Sequence, residues 1–258
     1  MRIEGTTAIV TGGAQGIGAA LVRALKDAGA AKVISADLHP HDTDGADECL
    51  TCDVSRQDQI EAMIDHVEAT HGPVGLMCSN AGILTGKDST FDNIAFADAQ
   101  VWDQAWAVNV MAHVHAARYL IPKMKSRGGG YFLHTASAAG LLNQVGSAVY
   151  GVTKHAAVGF AEALAFGHRD DGIGVSVLCP QGVDTEMVRD AKNNPAVLDG
   201  VLPPAQVAQE CIEAIENKRF LVLPHKEVAQ YMQVKANDYD RWIGGMARLQ
   251  RVMKTQGE

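Results

Sequence analysis

The chain lacks any apolar run that approaches the ~18 residues needed to span a bilayer, and its first residues pass into a strand-like segment without a signal-peptide pattern. It also lacks an excess of positive charge, because 22 Lys and Arg stand against 30 Asp and Glu for a net charge of −8. A basic face for nucleic acid or for an anionic membrane is therefore not expected. The five cysteines are an odd number without paired metal-ligand spacing, which predicts reduced thiols in a cytoplasmic protein.

The ten histidines show no metal-ligand spacing either. His113 and His115 are two residues apart, so on a helix they would point to different faces, and His39 and His41 have the same separation. Solvated or partly packed side chains explain such histidines better than a metal site does. We expect no bound metal.

Strand-like and helix-like segments alternate along the chain, which predicts one α/β domain with a doubly wound parallel sheet of seven strands and helices on both faces. The length of 258 residues suits a single domain of this class. Residues 39–45 are polar and too few for a crossover helix, so that connection should be short. Ser55 and Asp58 resemble a capping box that would start the next helix. The predicted strands are 7–10, 32–36, 48–52, 75–79, 130–135, 174–179 and 220–223, and the later helices are 101–124, 148–166 and 204–216.

A glycine-rich turn follows the first predicted strand and precedes a helical pattern. The run from Thr11 to Gly18 has the spacing Gly-x-x-x-Gly-x-Gly, and this strand–turn–helix context is what a pyrophosphate site requires. Asp37 ends the next strand about twenty residues on, where a carboxylate would accept hydrogen bonds from an adenosine ribose. The turn and the carboxylate together predict dinucleotide binding.

Tyr150 and Lys154 lie four residues apart, so one helical turn places both side chains on the same face. A nearby ammonium group favours the phenolate and would lower the pKa of tyrosine from ~10 toward the range of a general acid/base. Ser137, upstream in the same region, offers a hydroxyl group for a substrate oxygen. Taken alone, the Tyr150/Lys154 pair is also typical of a solvated helix face, and the other motifs decide its interpretation.

With these motifs in order, the chain resembles the short-chain dehydrogenase/reductase family over roughly residues 5 to 225. The resemblance depends on the joint order and spacing of Thr11-Gly12-x-x-x-Gly16-x-Gly18, Asp53-Val54, Asn80-Ala81-Gly82, Asn109, Ser137, Tyr150-x-x-x-Lys154, Pro180 and Thr185. It implies a Rossmann-type dinucleotide-binding and catalytic domain over residues 1–225. Residues 226–258 would form a helical extension of the same domain.

The resemblance also implies roles for individual residues. The catalytic group would be Asn109, Ser137, Tyr150 and Lys154. The cofactor, expected to be NAD, would contact Gly12, Gln15, Gly16, Ile17, Gly18, Asp37, Asp53, Val54, Asn80, Ala81, Gly82, Tyr150, Lys154, Pro180, Val183 and Thr185. The substrate would contact Ser137, Ala139, Gln144, Tyr150, Gln181, Gly182 and Met187. Gln181 departs from the family pattern, in which glycine usually follows this proline directly, and is a candidate to face the substrate.

The implied reaction is hydride transfer between NAD(H) and a secondary alcohol or ketone. Tyr150 would exchange the hydroxyl proton, Lys154 would lower its pKa, and Asn109 would hold a water that links the lysine to solvent. Residues 138–145 and Met187-Val188 supply no Arg or Lys, which predicts a bulky apolar substrate, such as a cyclic, terpenoid, aromatic or steroid-like one. Residues 186–203, with Asn193-Asn194-Pro195 and Gly200 among them and Arg189 and Lys192 further from the site, would close over it.

Assembly into a homotetramer or dimer is implied as well, through residues 101–124 and 148–166. The second of these segments carries small residues that permit close packing, and burial inside one subunit is their alternative role: Ala156, Ala157, Val158, Gly159 and Ala161. The tail that contains Tyr231, Met232, Trp242 and Met246 should pack on its own or a neighbouring subunit rather than line the pocket.

Two other functions stay open at this point. An NADP-dependent reductase of 3-oxo thioesters linked to acyl carrier protein would need a site for a 2′-phosphate, which Asp37 opposes. A regulatory protein that holds a dinucleotide without turning it over would suit the glycine turn equally well. Such a protein would not require Ser137, Tyr150 and Lys154 at these spacings.

Overall fold

The computed structural model describes residues 1–189 and 199–256, and within these residues seven strands form one parallel sheet. The strands are β1 (Thr7–Thr11), β2 (Lys32–Asp37), β3 (Glu48–Thr51), β4 (Val74–Ser79), β5 (Gly130–Thr135), β6 (Ile173–Leu178) and β7 (Leu221–Val222). Their order is β3-β2-β1-β4-β5-β6-β7, with every neighbouring pair parallel. The winding direction reverses between β1 and β4, which opens a crevice at their carboxyl ends. The predicted doubly wound fold is confirmed.

Helices cover both faces of this sheet. They are α1 (Gly16–Asp27), α2 (Gln57–His71), α3 (Ala99–Trp106), α4 (Ala112–Ser126), α5 (Ala139–Leu142), α6 (Ala148–Gly167), α7 (Glu186–Arg189), α8 (Pro204–Glu216), α9 (Glu227–Asn237) and α10 (Tyr239–Gln256). Alternate residues of β1 enter opposite cores: Ile9 packs under α2, α4 and α6, whereas Ala8 and Val10 pack under α1 and α8. Burial on both faces explains why the strands are continuously apolar. Among the described helices, none is long and apolar enough to cross a membrane.

The helix predicted over residues 101–124 starts earlier, ends later and is interrupted. α3 passes into a five-residue π-helical segment, Ala107–Met111, which continues into α4. Asn109 lies in this segment and is fully buried. Such a widened turn inserts one extra residue and is frequent at functional sites.

Two local predictions between β2 and α2 had different outcomes. The connection between Asp37 and Glu48 contains no helix, as its polar composition predicted. The capping box was wrong: α2 begins at Gln57, and its first turn receives no side-chain cap. Ser55 instead donates through its Oγ to Asp53 Oδ1 at 2.7 Å, because that carboxylate two residues back offers a nearer acceptor.

The C-terminal helices pack on their own chain. Val228 of α9 is buried against Ala138 and Leu142, with Tyr231 and Trp242 beside them. Lys235 donates to the carbonyl oxygen of Leu141 at 2.7 Å. α9 therefore supports the segment that directly follows Ser137.

Candidate active site

One cleft of about 430 Å³ lies at the carboxyl ends of the strands. Its walls come from the turn after β1, the ends of β2, β4, β5 and β6, and the start of α6. These segments are far apart in the chain and meet because parallel strands all end at the same edge of the sheet. The cleft thus collects most of the residues that the motifs singled out.

The glycine turn is shaped by close backbone approaches. Gly12 and Gly16 have positive φ angles of 62° and 55°. A Cβ at Gly18 would lie 1.9 Å from the carbonyl oxygen of Gly12, and one at Gly16 would lie 2.9 Å from Thr185 Cγ2. Only glycine fits at these positions. The same approaches hold Thr185 of the far wall directly against the turn.

The amino end of α1 opens into the cleft. Gln15 precedes the helix without capping it, and Gly16, Ile17 and Gly18 line the cleft. The first backbone N–H groups of a helix have no intrahelical acceptor, and the helix dipole places partial positive charge there. An uncapped end of this kind suits the pyrophosphate of a dinucleotide.

Asp37 lies at the end of β2, on the rim of the same cleft. Its Oδ2 accepts a hydrogen bond from Ala14 N at 3.1 Å, and its Oδ1 accepts one from His39 N at 3.2 Å. The carboxylate is therefore held in place and its remaining lone pairs are available to hydroxyl groups. Asp53 and Val54 line the neighbouring part of the wall.

Asn80 fastens the glycine turn to the centre of the sheet. Its Nδ2 donates to the carbonyl oxygens of Thr11 and Gly12 at 3.1 and 3.3 Å. Its Oδ1 accepts from Thr135 Oγ1 at 3.1 Å, while Thr11 Oγ1 accepts from the backbone N–H groups of Asn80 and Ala81. β1, β4 and β5 are thereby linked directly beneath the cleft.

Ser137, Tyr150 and Lys154 come together on the opposite wall, and all three are at least nine-tenths buried. Lys154 Nζ lies 5.6 Å from the centre of the Tyr150 ring and donates to the carbonyl oxygen of Thr135 at 3.0 Å. Ser137 Oγ accepts from Ala139 N at 3.1 Å and donates to the carbonyl oxygen of Pro180 at 3.4 Å. A phenol, a hydroxyl and an ammonium group thus share one largely dry pocket.

Burial shifts the proton affinities of this group. It raises the pKa of Tyr150 above its ordinary value, and the hydrogen bond with Ser137 only partly opposes that effect. It lowers the pKa of Lys154 to about 8. The pKa of Tyr150 therefore lies above its ordinary value rather than below it, contrary to the expected lowering by Lys154, because burial disfavours the charged phenolate.

Asn109 lies behind the cleft wall rather than in it. Its Oδ1 accepts from Ile83 N at 2.9 Å, and its Nδ2 donates to Ile83 O at 3.0 Å and to Thr153 Oγ1 at 3.1 Å. A Cβ on Gly82 would lie 3.1 Å from Lys154 Nζ and 3.3 Å from Asn109 Oδ1. The amide therefore joins the loop after β4 to α6 at the depth of the lysine.

Two histidines form a buried pair behind the same wall. His113 Nδ1 and His134 Nδ1 are 3.0 Å apart, and both side chains are essentially inaccessible. Burial lowers the pKa of His134 to about 3 and that of His113 well below its ordinary value. His113 was expected to be solvated or partly packed, and that expectation was wrong because α4 presses this face onto β5.

The structure brings most of the predicted site residues to the cleft, including Gln144, Gln181 and Met187. Ala139 and Gly182, which were expected to contact the substrate, are not among the described lining residues: Ala139 N donates to Ser137 Oγ, and the Gly182 carbonyl oxygen accepts from Leu202 N. Lys192, Asn193, Asn194 and Pro195 lie outside the described residues. Several lining residues were not predicted, because they are of common type and belong to none of the motifs: Leu38, Cys52, Ile83, Leu84, Gln104, Val108, Ala136 and Glu186.

Comparison with known proteins gives a consistent result. The family model for short chain dehydrogenase matches residues 6–196. The chain is 32% identical over 199 residues to a 3beta-hydroxysteroid dehydrogenase 2 of Eggerthella lenta, covering 72% of this chain and 74% of that protein. It is 30% identical over 261 residues to (+)-borneol dehydrogenase 1 of Salvia officinalis, covering 95% and 92%.

The fold is also similar to a solved structure with a bound dinucleotide. The crystal structure of a short chain dehydrogenase/reductase from Burkholderia phymatum in complex with NAD superposes with a TM-score of 0.81 at 27% identity. The match covers 93% of this chain and 96% of that one.

Proposed function

Because this chain belongs to the short-chain dehydrogenase family, we propose that it transfers a hydride between NAD(H) and a secondary alcohol or ketone, with Tyr150 as general acid/base. The observation that carries the proposal is the burial of Ser137, Tyr150 and Lys154 on one wall of the cleft whose other wall is the glycine turn. Dinucleotide binding alone would not require a buried phenol, hydroxyl and ammonium there.

The proposed chemistry assigns the proton to Tyr150 Oη. Its raised pKa keeps the phenol protonated near neutral pH, the state that a general acid needs for ketone reduction. In the direction of alcohol oxidation, the phenolate must form, and the Lys154 ammonium would stabilise that charge in a site with little solvent. Ser137 Oγ would hold the reacting oxygen, and the nicotinamide would supply or accept the hydride.

A preference for NAD over NADP is part of the proposal. The Asp37 carboxylate would pair with ribose hydroxyls and repel a 2′-phosphate. No Arg or Lys stands beside it among the described lining residues of the cleft, where Lys154 is the single cation. The NAD bound to the Burkholderia phymatum relative supports this choice.

The proposed substrate is bulky and mostly apolar. Between the two walls, the lining includes Leu84, Val108, Met187 and Val188. Two relatives bear the names 3beta-hydroxysteroid dehydrogenase 2 and (+)-borneol dehydrogenase 1, and the compounds in these names are bulky, mostly apolar alcohols. Apolar walls with a few fixed polar groups are typical of sites for such molecules.

We also propose that the protein forms a homotetramer through α6 and the α3–α4 region. Of the small α6 residues, Ala157, Val158 and Ala161 are buried within the subunit, whereas Gly159 is exposed. Phe166, 76% exposed, lies on the same side of the helix as Gly159. Light scattering should show a tetramer, and Phe166→Glu should shift it to smaller species, whereas a wild-type monomer at micromolar concentration would contradict the assembly.

A cytoplasmic location is the last part of the proposal. None of the five cysteines, all within the described residues, forms a disulfide, and four are buried. Free thiols are typical of a reducing compartment. Localisation of a tagged chain by cell fractionation checks this point.

The experiment for the central proposal is Tyr150→Phe. Without the phenol, turnover of secondary alcohols with NAD should fall by ~10²–10⁴ while NAD affinity changes only a few fold. Tyr119→Phe is the matched control, because the Tyr119 hydroxyl on α4 donates to Asp65 of α2, outside the cleft. Steady-state kinetics and cofactor titration give both quantities, and near-normal turnover of the Tyr150→Phe variant would refute the mechanism.

A further inference from the structure

Gln181 begins beside the proposed reacting group. The carbonyl oxygen of Pro180 accepts from Ala138 N at 2.8 Å and from Ser137 Oγ at 3.4 Å, which ties the start of this loop to the serine. Gln181 N donates to His225 Nδ1 at 3.2 Å, and His225 is itself buried. The backbone of Gln181 is thus fixed on both sides, and its side chain lines the cleft.

The Gln181 amide has one satisfied end and one unsatisfied end. Its Nε2 donates to Asp199 Oδ2 at 2.9 Å. Its Oε1 is buried and has no hydrogen-bond partner among the described residues. The two ends cannot be exchanged, because the oxygen would then face a carboxylate, which only accepts hydrogen bonds.

Asp199 is in turn held by the C-terminal extension. Tyr231 of α9 donates through its hydroxyl to Asp199 Oδ1 at 2.9 Å. The bridge between Val183 and Leu202 fastens the segment after Asp199 to the one after Gln181. A chain of hydrogen bonds therefore runs from α9 through Asp199 to the cleft and sets the direction of the Gln181 amide.

A buried acceptor without a donor is costly, and a bound molecule that donates to it removes that cost. Gln181 lines the cleft, so a molecule bound there can supply the donor. Asp199 adds negative charge next to Gln181, and Lys154, already bonded to Thr135, is the single cation among the described lining residues. These charges disfavour an anionic substrate and favour a neutral one with a hydroxyl group.

We propose that Gln181 determines specificity by accepting, at Oε1, a hydrogen bond from a second hydroxyl group of the substrate that does not react. Asp199 and Tyr231 are positioning residues that hold the amide. This inference rests on the proposed function and narrows its substrates to neutral, otherwise apolar secondary alcohols or ketones with one additional hydroxyl.

The test compares matched alcohols with NAD as cofactor: cyclohexanol against each cyclohexanediol isomer, and 4-cyclohexylcyclohexanol against bicyclohexyl-4,4′-diol. For at least one pair, kcat/KM of the wild-type enzyme should favour the diol by about tenfold or more. Gln181→Met should bring that ratio close to one. Tyr231→Phe should lower the ratio about threefold through KM rather than kcat, because the amide loses its orientation. Tyr239→Phe, on the exposed surface of α10, should leave the ratio unchanged.

Calorimetric binding of the same pairs to the NAD-loaded protein separates this inference from the proposed function. If cyclohexanol is oxidised but every diol ratio is near one, or if Gln181→Met retains the wild-type ratio, the role of Gln181 is overturned and the dehydrogenase function stands. If nothing is oxidised but a diol still binds more tightly and Gln181→Met removes that difference, the function fails and the role of Gln181 stands. Equal binding without turnover overturns both.

Discussion

The two walls of the cleft differ in composition, since one is formed by backbone and the other by buried polar side chains. The glycine wall, residues 12–18 and 80–82, is mostly backbone in contact with backbone. The polar wall consists of Ser137, Tyr150 and Lys154 together with the buried side chains directly behind them: Asn109, His113, His134 and Thr153. The glycine wall has no room for an added side-chain atom. The polar wall is destabilised when a side-chain group is removed or when a proton is added. The same cleft is thus sensitive to opposite kinds of change on its two sides.

The largest effect is expected where an atom is added to the glycine wall. Gly18→Ala would place a Cβ 1.9 Å from Gly12 O and 2.8 Å from Asn80 Nδ2, so the turn must move. We expect a loss of stability on the order of 3 kcal/mol and a fall in NAD affinity of more than ~100-fold. Denaturant unfolding and NAD titration measure both. Gly244→Ala, where a Cβ would have no atom within 4 Å, is the control and should not destabilise the protein. A Gly18→Ala variant that binds NAD normally would show that the glycine wall does tolerate an added atom.

On the polar wall, removal of a side-chain amide should lower the stability of the fold nearly as much. Asn109→Ala leaves Ile83 N and Ile83 O without their partner in a buried place. We expect a loss of about 2–3 kcal/mol in the free energy of unfolding. Asn237→Ala, at the exposed end of α9, serves as the control and should change stability little. Equal effects of the two substitutions would mean that the amide contributes no more than a surface residue.

Asp37 lies on the rim of the glycine wall, where the proposed contact with the cofactor is made by a side chain rather than by backbone. Asp37→Ala removes a charged acceptor and should reduce the preference for NAD over NADP in kcat/KM by about 10–100-fold, since such hydrogen bonds contribute ~1.5–3 kcal/mol. Asp42→Ala removes an exposed carboxylate from the same loop and should leave the preference intact. Wild-type protein that uses NADP as well as NAD would show that the carboxylate does not select the cofactor.

The smallest effect concerns protons on the polar wall. The pKa of His134 is about 3 in the folded chain against 6.5 as its ordinary value, so the unfolded chain binds the proton more readily. Stability is therefore fully present above pH 6.5 and declines as the pH falls toward 3. Between pH 7 and 5.5, His134 alone should account for about 1 kcal/mol. Urea unfolding across this range measures the slope, and the double variant His113→Leu/His134→Leu should flatten it; an unchanged slope would exclude the pair as its source.

The glycine wall was predictable from the sequence because its constraint is local. Gly12, Gly16 and Gly18 are needed where the chain turns within a few residues, and no other residue type has the missing Cβ. Tyr150 and Lys154 were predictable for a related reason, since one helical turn brings them together. The parallel sheet followed from the alternation of apolar segments, and even the short β2–β3 connection was visible in its polar composition.

What stayed hidden depends on packing between distant segments. His113 meets His134 only because α4 lies on β5, and no spacing encodes that contact. Burial raises the pKa of Tyr150, whereas its spacing to Lys154 had predicted a lower value. Gln181 stood out as a departure from a pattern, but its partner Asp199 had no signal.

Because of the π-helical turn at Ala107–Met111, the side chains of α3 and of α4 do not follow one helical repeat. One extra residue in the turn rotates everything after it by about 100° relative to an unbroken α-helix. Ala116, Leu120 and Met124 face the sheet in the phase that α4 now has. If α3 continued into α4 without the extra residue, the same side chains would turn away from β4 and β5. The inserted residue thus allows one continuous helix to present Gln104 and Val108 to the cleft and the apolar face of α4 to the core.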